Sequence, residues 1–115
     1  MRRGEVHWAD LVPRSRSGQT GRRPVIVISH DGFNQTAGWR SIIVVPISTA
    51  KSRGRGGPTV IEISAGAGGL AKSSFAICHQ ATTLDRAKLT RRVGTLPSEV
   101  LHQVQMGLKA AMDLD

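Results

Sequence analysis

Gly21-Arg22-Arg23-Pro24-Val25-Ile26-Val27-Ile28-Ser29 reads as a buried β-strand entered through two arginines and a proline. A short, continuous, β-branched apolar run fits a strand covered on both faces. Pro24 drives Arg23 out of the helical region into an extended conformation, so its guanidinium is held at the strand mouth. A planar guanidinium fixed in this way suits a phosphate. The same two arginines are also what a solvated strand end would show, and the nonapeptide alone does not separate these readings.

Working outward, Ser41-Ile42-Ile43-Val44-Val45-Pro46-Ile47 is a second continuous apolar run able to lie beside the first. Pro46 has no N–H for a ladder, so the strand is expected to end or bulge there. Ser48 and Thr49 then follow a rigid element with their hydroxyls outward, where functional residues are commonly carried. Upstream, Gly4 to Leu11 alternates as a strand, with Val6 and Trp8 on one face, Trp8 in the core, and Glu5, His7 and Ala9 on the other. His7 is expected on the sheet surface. Between these strands, Val12 to Gly21 has loop composition with added positive charge from Arg14 and Arg16.

Lys51-Ser52-Arg53-Gly54-Arg55-Gly56-Gly57 is a basic, glycine-punctuated loop, either a solvated hairpin tip or an electrostatic arm. Pro58 to Ser64 is a half-buried strand with Ile61 and Ile63 inward, and Ala65 to Leu70 is a glycine-rich turn without a P-loop or dinucleotide fingerprint. Ser74 to His79 reads as strand, with Phe75, Ile77 and His79 sharing a face and Cys78 opposite, which leaves Cys78 and His79 unsuited to one metal ion. A short strand near Gln80 to Leu84 and a basic turn from Asp85 to Arg92 come next. A closing helix begins at Pro97, with Val100, Leu101, Val104, Leu108, Ala111 and Met112 at helical spacing.

Length and composition bound the rest. The 115 residues suit one domain spanning 1–115 with a single core and no staples. One cysteine excludes an internal disulfide framework, and no apolar stretch approaches bilayer length, so a cytoplasmic protein is expected. Sixteen Lys and Arg against eight Asp and Glu give a formal charge of +8, which implies an anionic partner, nucleic acid before acidic protein. With no tyrosine, two phenylalanines and two tryptophans, base-stacking platforms are not expected, and phosphate contacts should dominate. No metal site or cofactor motif is visible. A basic, strand-rich chain with a terminal helix suggests a mainly β fold, a small curled SH3-like barrel.

The residues also resemble a known family. Arg3-Gly4-Glu5-Val6 with Trp8 and Asp10-Leu11, then Gly21-Arg22-Arg23-Pro24-Val25, Phe33-Asn34, Val44-Val45-Pro46-Ile47-Ser48, Gly69-Leu70, Gln80 with Thr83-Leu84-Asp85, and Gly94 are similar in order and spacing to the MazF/PemK toxins. The resemblance implies a barrel of the MazF/PemK/CcdB type and a homodimer. It also implies a toxin of a type II toxin–antitoxin pair that cuts single-stranded RNA without metal and so inhibits translation and growth. Carried over by residue, the family's arginine falls on Arg23 and its Ser/Thr on Ser48. RNA would be contacted by Arg16, Ser17, Gln19 and Arg22, by Thr49, Lys51, Arg53 and Arg55, and by Gln80.

These residue types match the chemistry. Cleavage by the RNA's own 2′-hydroxyl needs a proton removed from it, an anionic phosphorane stabilised and a proton delivered to the leaving 5′-oxygen. The products are a 2′,3′-cyclic phosphate and a 5′-hydroxyl. Arg23 can stabilise the phosphorane, but a guanidinium is a poor proton donor, so acid catalysis by it rests on the resemblance alone. Ser48 is a poorer base still and is expected to orient the phosphate or the 2′-hydroxyl. Where some relatives place Arg and Asp, this chain has Ile77 and His79. His79 is either the missing base, as an imidazole exchanges protons near neutral pH, or a polar residue on the RNA-facing side.

Two other activities fit the same residues: a non-enzymatic toxin of this fold that binds DNA gyrase through its terminal helix, and a plain RNA-binding barrel. An acidic antitoxin whose disordered tail lies along the groove near Arg23, Arg53 and Arg55 would complete the system.

Overall fold

The computed structural model describes residues 1–11, 21–50 and 55–114. In chain order they form β1 (Glu5–Leu11), β2 (Gly21–Val27), the short α1 (Asp31–Asn34), β3 (Ser41–Ser48), β4 (Val60–Ile63), β5 (Ser74–Ile77), β6 (Thr82–Asp85), β7 (Leu89–Thr95) and α2 (Ser98–Met112). The two apolar runs are antiparallel neighbours, with Val25 opposite Pro46 and Val27 opposite Val44. β1 lies on the other side of β2, with Trp8 opposite Pro24 and Asp10 opposite Arg22.

Apart from Ile43, which is exposed, the apolar residues of both runs are covered on both faces, as continuous apolar strands suggest. Ile26, Val45 and Ile47 join Val6 in a cluster closed by Val104 and Leu108 of α2. Val25, Val27, Ile42 and Val44 join Ala9 in a second cluster on the other face, flanked by Met1, Leu11, Leu84 and Leu89. Pro46 does not end β3. Along its second edge β3 pairs β6 from Ser41 to Val44 and then β5 at Ile47 and Ser48, so the missing donor falls where one partner replaces another.

The fold is mainly β with a C-terminal helix, but the expected SH3-like barrel does not form. The strand order is β4-β5-β3-β2-β1-β7 with β6 paired to β3, and among the described residues β4 and β7 end this path without pairing each other. A glycine turn, Ala67–Gly69, packs against β7 instead. At Gly69 an added Cβ would overlap the Val93 carbonyl oxygen, and at Gly94 one would lie 2.5 Å from the Gly68 carbonyl oxygen. Backbone meets backbone here without side chains between, and the sheet remains open.

Two further corrections concern depth. Trp8 is half-buried, not core, and His7 is buried, not on the surface. His7 Nε2 lies 2.8 Å from Glu5 Oε1, and Arg92 approaches the other carboxylate oxygen at 3.7 Å. Burial works to raise the Glu5 carboxyl, but the hydrogen bonds from His7 and the Arg2 backbone and the charge of His7 outweigh it and hold the group below its ordinary value of 4.5. A depressed folded-state value means that the unfolded chain binds more protons through this window, so the contribution is present above the ordinary value and lost as pH falls through the folded one. Glu5→Gln should therefore lower the melting temperature at neutral pH, and the gap from wild type should close at low pH. Equal gaps throughout would contradict this coupling.

The helix reading also gains a residue. Val104, Gly107 and Leu108 are the buried positions of α2, whereas Met112 is exposed. Gly107 sits over Cys78, where a Cβ would come within 2.7 Å of the Sγ. The Cys78 thiol faces the Val104 carbonyl at 3.6 Å, and burial pushes it up to about 11.

Candidate active site

At the open end of the β2–β3 pair lies a cleft of about 460 Å³ lined by Trp8, Arg22, Arg23, Pro24, Ile47, Thr49, Gly69, Leu70, Ala71, Lys72, Ser74, Arg91 and Val93. Strand pairing explains who meets there. Trp8 stands between Pro24 of β2 and Arg91 of β7, and directly opposed residues on neighbouring strands share a face. The glycine turn supplies Gly69 and Leu70, and the segment leading to β5 supplies Lys72. A second hollow, lined by Thr49, Glu62, Lys72, Ser73 and Phe75, shares Thr49 and Lys72 with the first.

The electrostatic character is plain. Four cations, Arg22, Arg23, Lys72 and Arg91, line one cleft, and none is in a salt bridge among the described residues. Concentrated, uncompensated positive charge beside low-dielectric walls draws anions. Arg22 lies over Trp8, with its Cζ 5.5 Å from the centre of the ring.

Arg23 is thus at the strand mouth and in an open cleft. Continuing the β2–β3 register outward from Val25 opposite Pro46 sets Arg23 across from Ser48. Ser48, the last residue of β3, is 5% exposed, and its Oγ accepts the Ala50 N–H at 3.1 Å. Its hydroxyl is therefore turned inward, not outward, and Thr49 is the exposed hydroxyl lining the cleft.

His79 is placed elsewhere. β5 stops at Ile77 and a 3-10 turn, Cys78–Gln80, replaces the expected continuation, so His79 does not share a strand face with Phe75. Its Nδ1 lies 2.8 Å from Thr59 Oγ1, at the end of β5 away from Ser74, and three strand steps make this separation about 10 Å before the turn begins. Gln80 is in the same turn, and Arg55 is exposed just before the 3-10 turn that carries Thr59. Neither lines the cleft. Arg16, Ser17, Gln19, Lys51 and Arg53 lie outside the described residues. Among those described, no three His, Cys, Asp or Glu side chains converge as metal ligands, and no helix is long and apolar enough to cross a membrane.

Trp8, Lys72 and Arg91 were not legible as site residues. For Lys72 the signal was a lysine three residues after the last glycine of a glycine turn. Arg91 required knowing that the basic segment before Val93 is a strand at all.

Comparison with known proteins gives the same fold and a consistent set of relatives. A family model described as PemK-like, MazF-like toxin of type II toxin-antitoxin system matches residues 2–112. Endoribonuclease MazF6 of Mycobacterium tuberculosis is 33% identical over 112 residues, covering 97% of this chain and 96% of the relative. Endoribonuclease EndoA of Bacillus subtilis is 32% identical over 114 residues, covering 99% and 96%. Among solved structures, an endoribonuclease in complex with its cognate antitoxin from a mycobacterial species superposes with a TM-score of 0.81 at 19% identity, over 100% of this chain and 97% of that one. The Mycobacterium tuberculosis toxin MazF-mt6 superposes at 0.78 with 24% identity, over 96% and 98%. At these identities the structures speak for the fold alone.

Proposed function

This chain belongs to the PemK-like, MazF-like toxin family of type II toxin–antitoxin systems, and we propose that it is an endoribonuclease whose cleft binds single-stranded RNA and cuts it through the RNA's own 2′-hydroxyl. The observation that carries the site is Arg23, next to Pro24 at the rim of a four-cation cleft that Thr49 also lines. The matched relatives named above are endoribonucleases, which favours this reading over gyrase binding or a plain RNA-binding protein.

In the step proposed, the 2′-oxygen attacks phosphorus, the bond from phosphorus to the 5′-oxygen breaks, and the proton lost by the 2′-hydroxyl is balanced by one gained at the 5′-oxygen. Arg23 donates to the phosphorane oxygens, where charge accumulates. Lys72 and Arg91 hold neighbouring phosphates. Ser48, through its bond to the Ala50 N–H, fixes the turn that presents Thr49, and it keeps its own O–H for donation. The reading needs no proton from His79, whose side chain is engaged with Thr59 outside the cleft. A true general base is worth about 10²–10⁴-fold. His79→Ala should cost far less in single-turnover cleavage, and a loss in that range would reinstate it.

The partner proposed is an acidic antitoxin segment competing with RNA for the cleft cations, and the assembly is a homodimer in the cytoplasm. Purified protein incubated with RNA in excess EDTA, with the new 5′ ends sequenced, tests the activity. Cuts at a recurring short sequence are expected. Intact RNA, or trapped cleaved DNA instead, would defeat the assignment.

A further inference from the structure

We infer that Trp8 and Arg22 form a nucleobase-stacking subsite within the cleft, so that the protein grips a base as well as phosphates; this rests on the RNA-cutting reading above. Composition alone argued against stacking platforms, because tryptophan is scarce in this chain and Trp8 fits a core position. The structure places it otherwise. Trp8 is half-buried, lines the cleft, and carries the Arg22 guanidinium 5.5 Å from its ring centre.

Three features make this pair a base site and not only a packing contact. The indole is flanked across the strands by Pro24 and Arg91, so the wall around it combines a flat apolar surface with phosphate-binding charge. Arg22 is exposed, and a guanidinium lying over an aromatic ring offers its own outer plane to a base, which stacks on either surface. Thr49 and Lys72 line the same cleft, so a backbone bound there has polar partners beside the stacked base. Every base has a π-face, so the subsite adds affinity without dictating sequence.

The test uses a Trp39→Phe background, in which Trp8 is the one remaining tryptophan. Two uncleavable probes are titrated: a mixed-sequence single-stranded 2′-O-methyl RNA 12-mer pool, and an abasic phosphate oligomer of equal length. The pool should quench Trp8 fluorescence and bind more tightly than the abasic probe, by about 5- to 150-fold for one stacked base. Trp8→Ala should remove that difference, with a far larger loss for the pool than for the abasic probe. Arg22→Lys, which keeps the charge but not the plane, should weaken the pool more than the abasic probe.

Equal binding of both probes, or equal loss on both in Trp8→Ala, would overturn the stacking subsite while RNA cutting persists. Absence of RNA cutting by the parent protein would instead remove the reading beneath it. Tighter binding of a polyglutamate peptide than of either probe, with Trp8 quenched only by the peptide, would assign the surface to an acidic protein and overturn the inference.

Discussion

Replacing Arg23 with alanine is expected to reduce single-turnover RNA cleavage by about 10³-fold or more, with the thermal unfolding midpoint nearly unchanged. The magnitude follows from what is removed. A donor already aimed at the position where negative charge develops is worth about 10²–10³-fold, and a transferring phosphoryl group stabilised by an arginine about 10³–10⁵-fold. The lack of effect on stability follows from position. Arg23 is half-buried at a strand mouth and has no salt bridge among the described residues, so its loss orphans no buried partner there. Arg23→Lys should recover little, because a point charge cannot reproduce the planar fork. Residual cleavage within a few-fold of wild type, or a large drop in the unfolding midpoint, would move Arg23 from chemistry to structure.

The second large effect is on the fold. Gly69→Ala should destabilise the protein by about 2–4 kcal/mol, combining the strain of a left-handed backbone with overpacking. Gly69 sits at φ +79°, and the methyl group would be driven into the Val93 carbonyl, a backbone atom of β7 that cannot swing aside. Gly66 provides the control. It has φ +94° but open space around its would-be Cβ, so Gly66→Ala should show the conformational part alone, about 1–2 kcal/mol. Urea unfolding of the two variants separates the terms. Equal losses would show that the turn does not need its close approach to β7, and the account of why the sheet stays open would fail. Because Gly69 and Leu70 also line the cleft, Gly69→Ala should weaken RNA binding as well.

What could be read from the residues follows the range of the interactions involved. β2, β3, β4 and α2 are specified by local pattern: continuous β-branched runs, alternation about Ile61 and Ile63, and an apolar stripe after Pro97. β7 was concealed because Thr90, Arg91 and Arg92 look like a basic turn, whereas charged residues on an edge strand are a common guard against further pairing. Openness of the sheet was likewise invisible, since it depends on a glycine turn meeting β7 across a long stretch of chain. The site divides in the same manner. Arg23 and its rim position follow from Pro24, and Thr49 follows from the end of β3. Ser48 was given the wrong orientation because its bond to Ala50 is a feature of the turn, not of strand alternation. Trp8 had the right face and the wrong depth, because what would have covered it is a cleft formed by β7 and the turn. His79 was misplaced when a strand was extended through residues that form a 3-10 turn.

The most direct measurement of the central claim compares two strands that differ in one oxygen, at a site the protein is shown to cut, in excess EDTA. The RNA should be cleaved to a 2′,3′-cyclic phosphate and a 5′-hydroxyl, and the same strand with a single 2′-deoxy substitution at the cut position should remain intact. Cleavage of the substituted strand at a comparable rate, or products bearing a 5′-phosphate, would contradict the account.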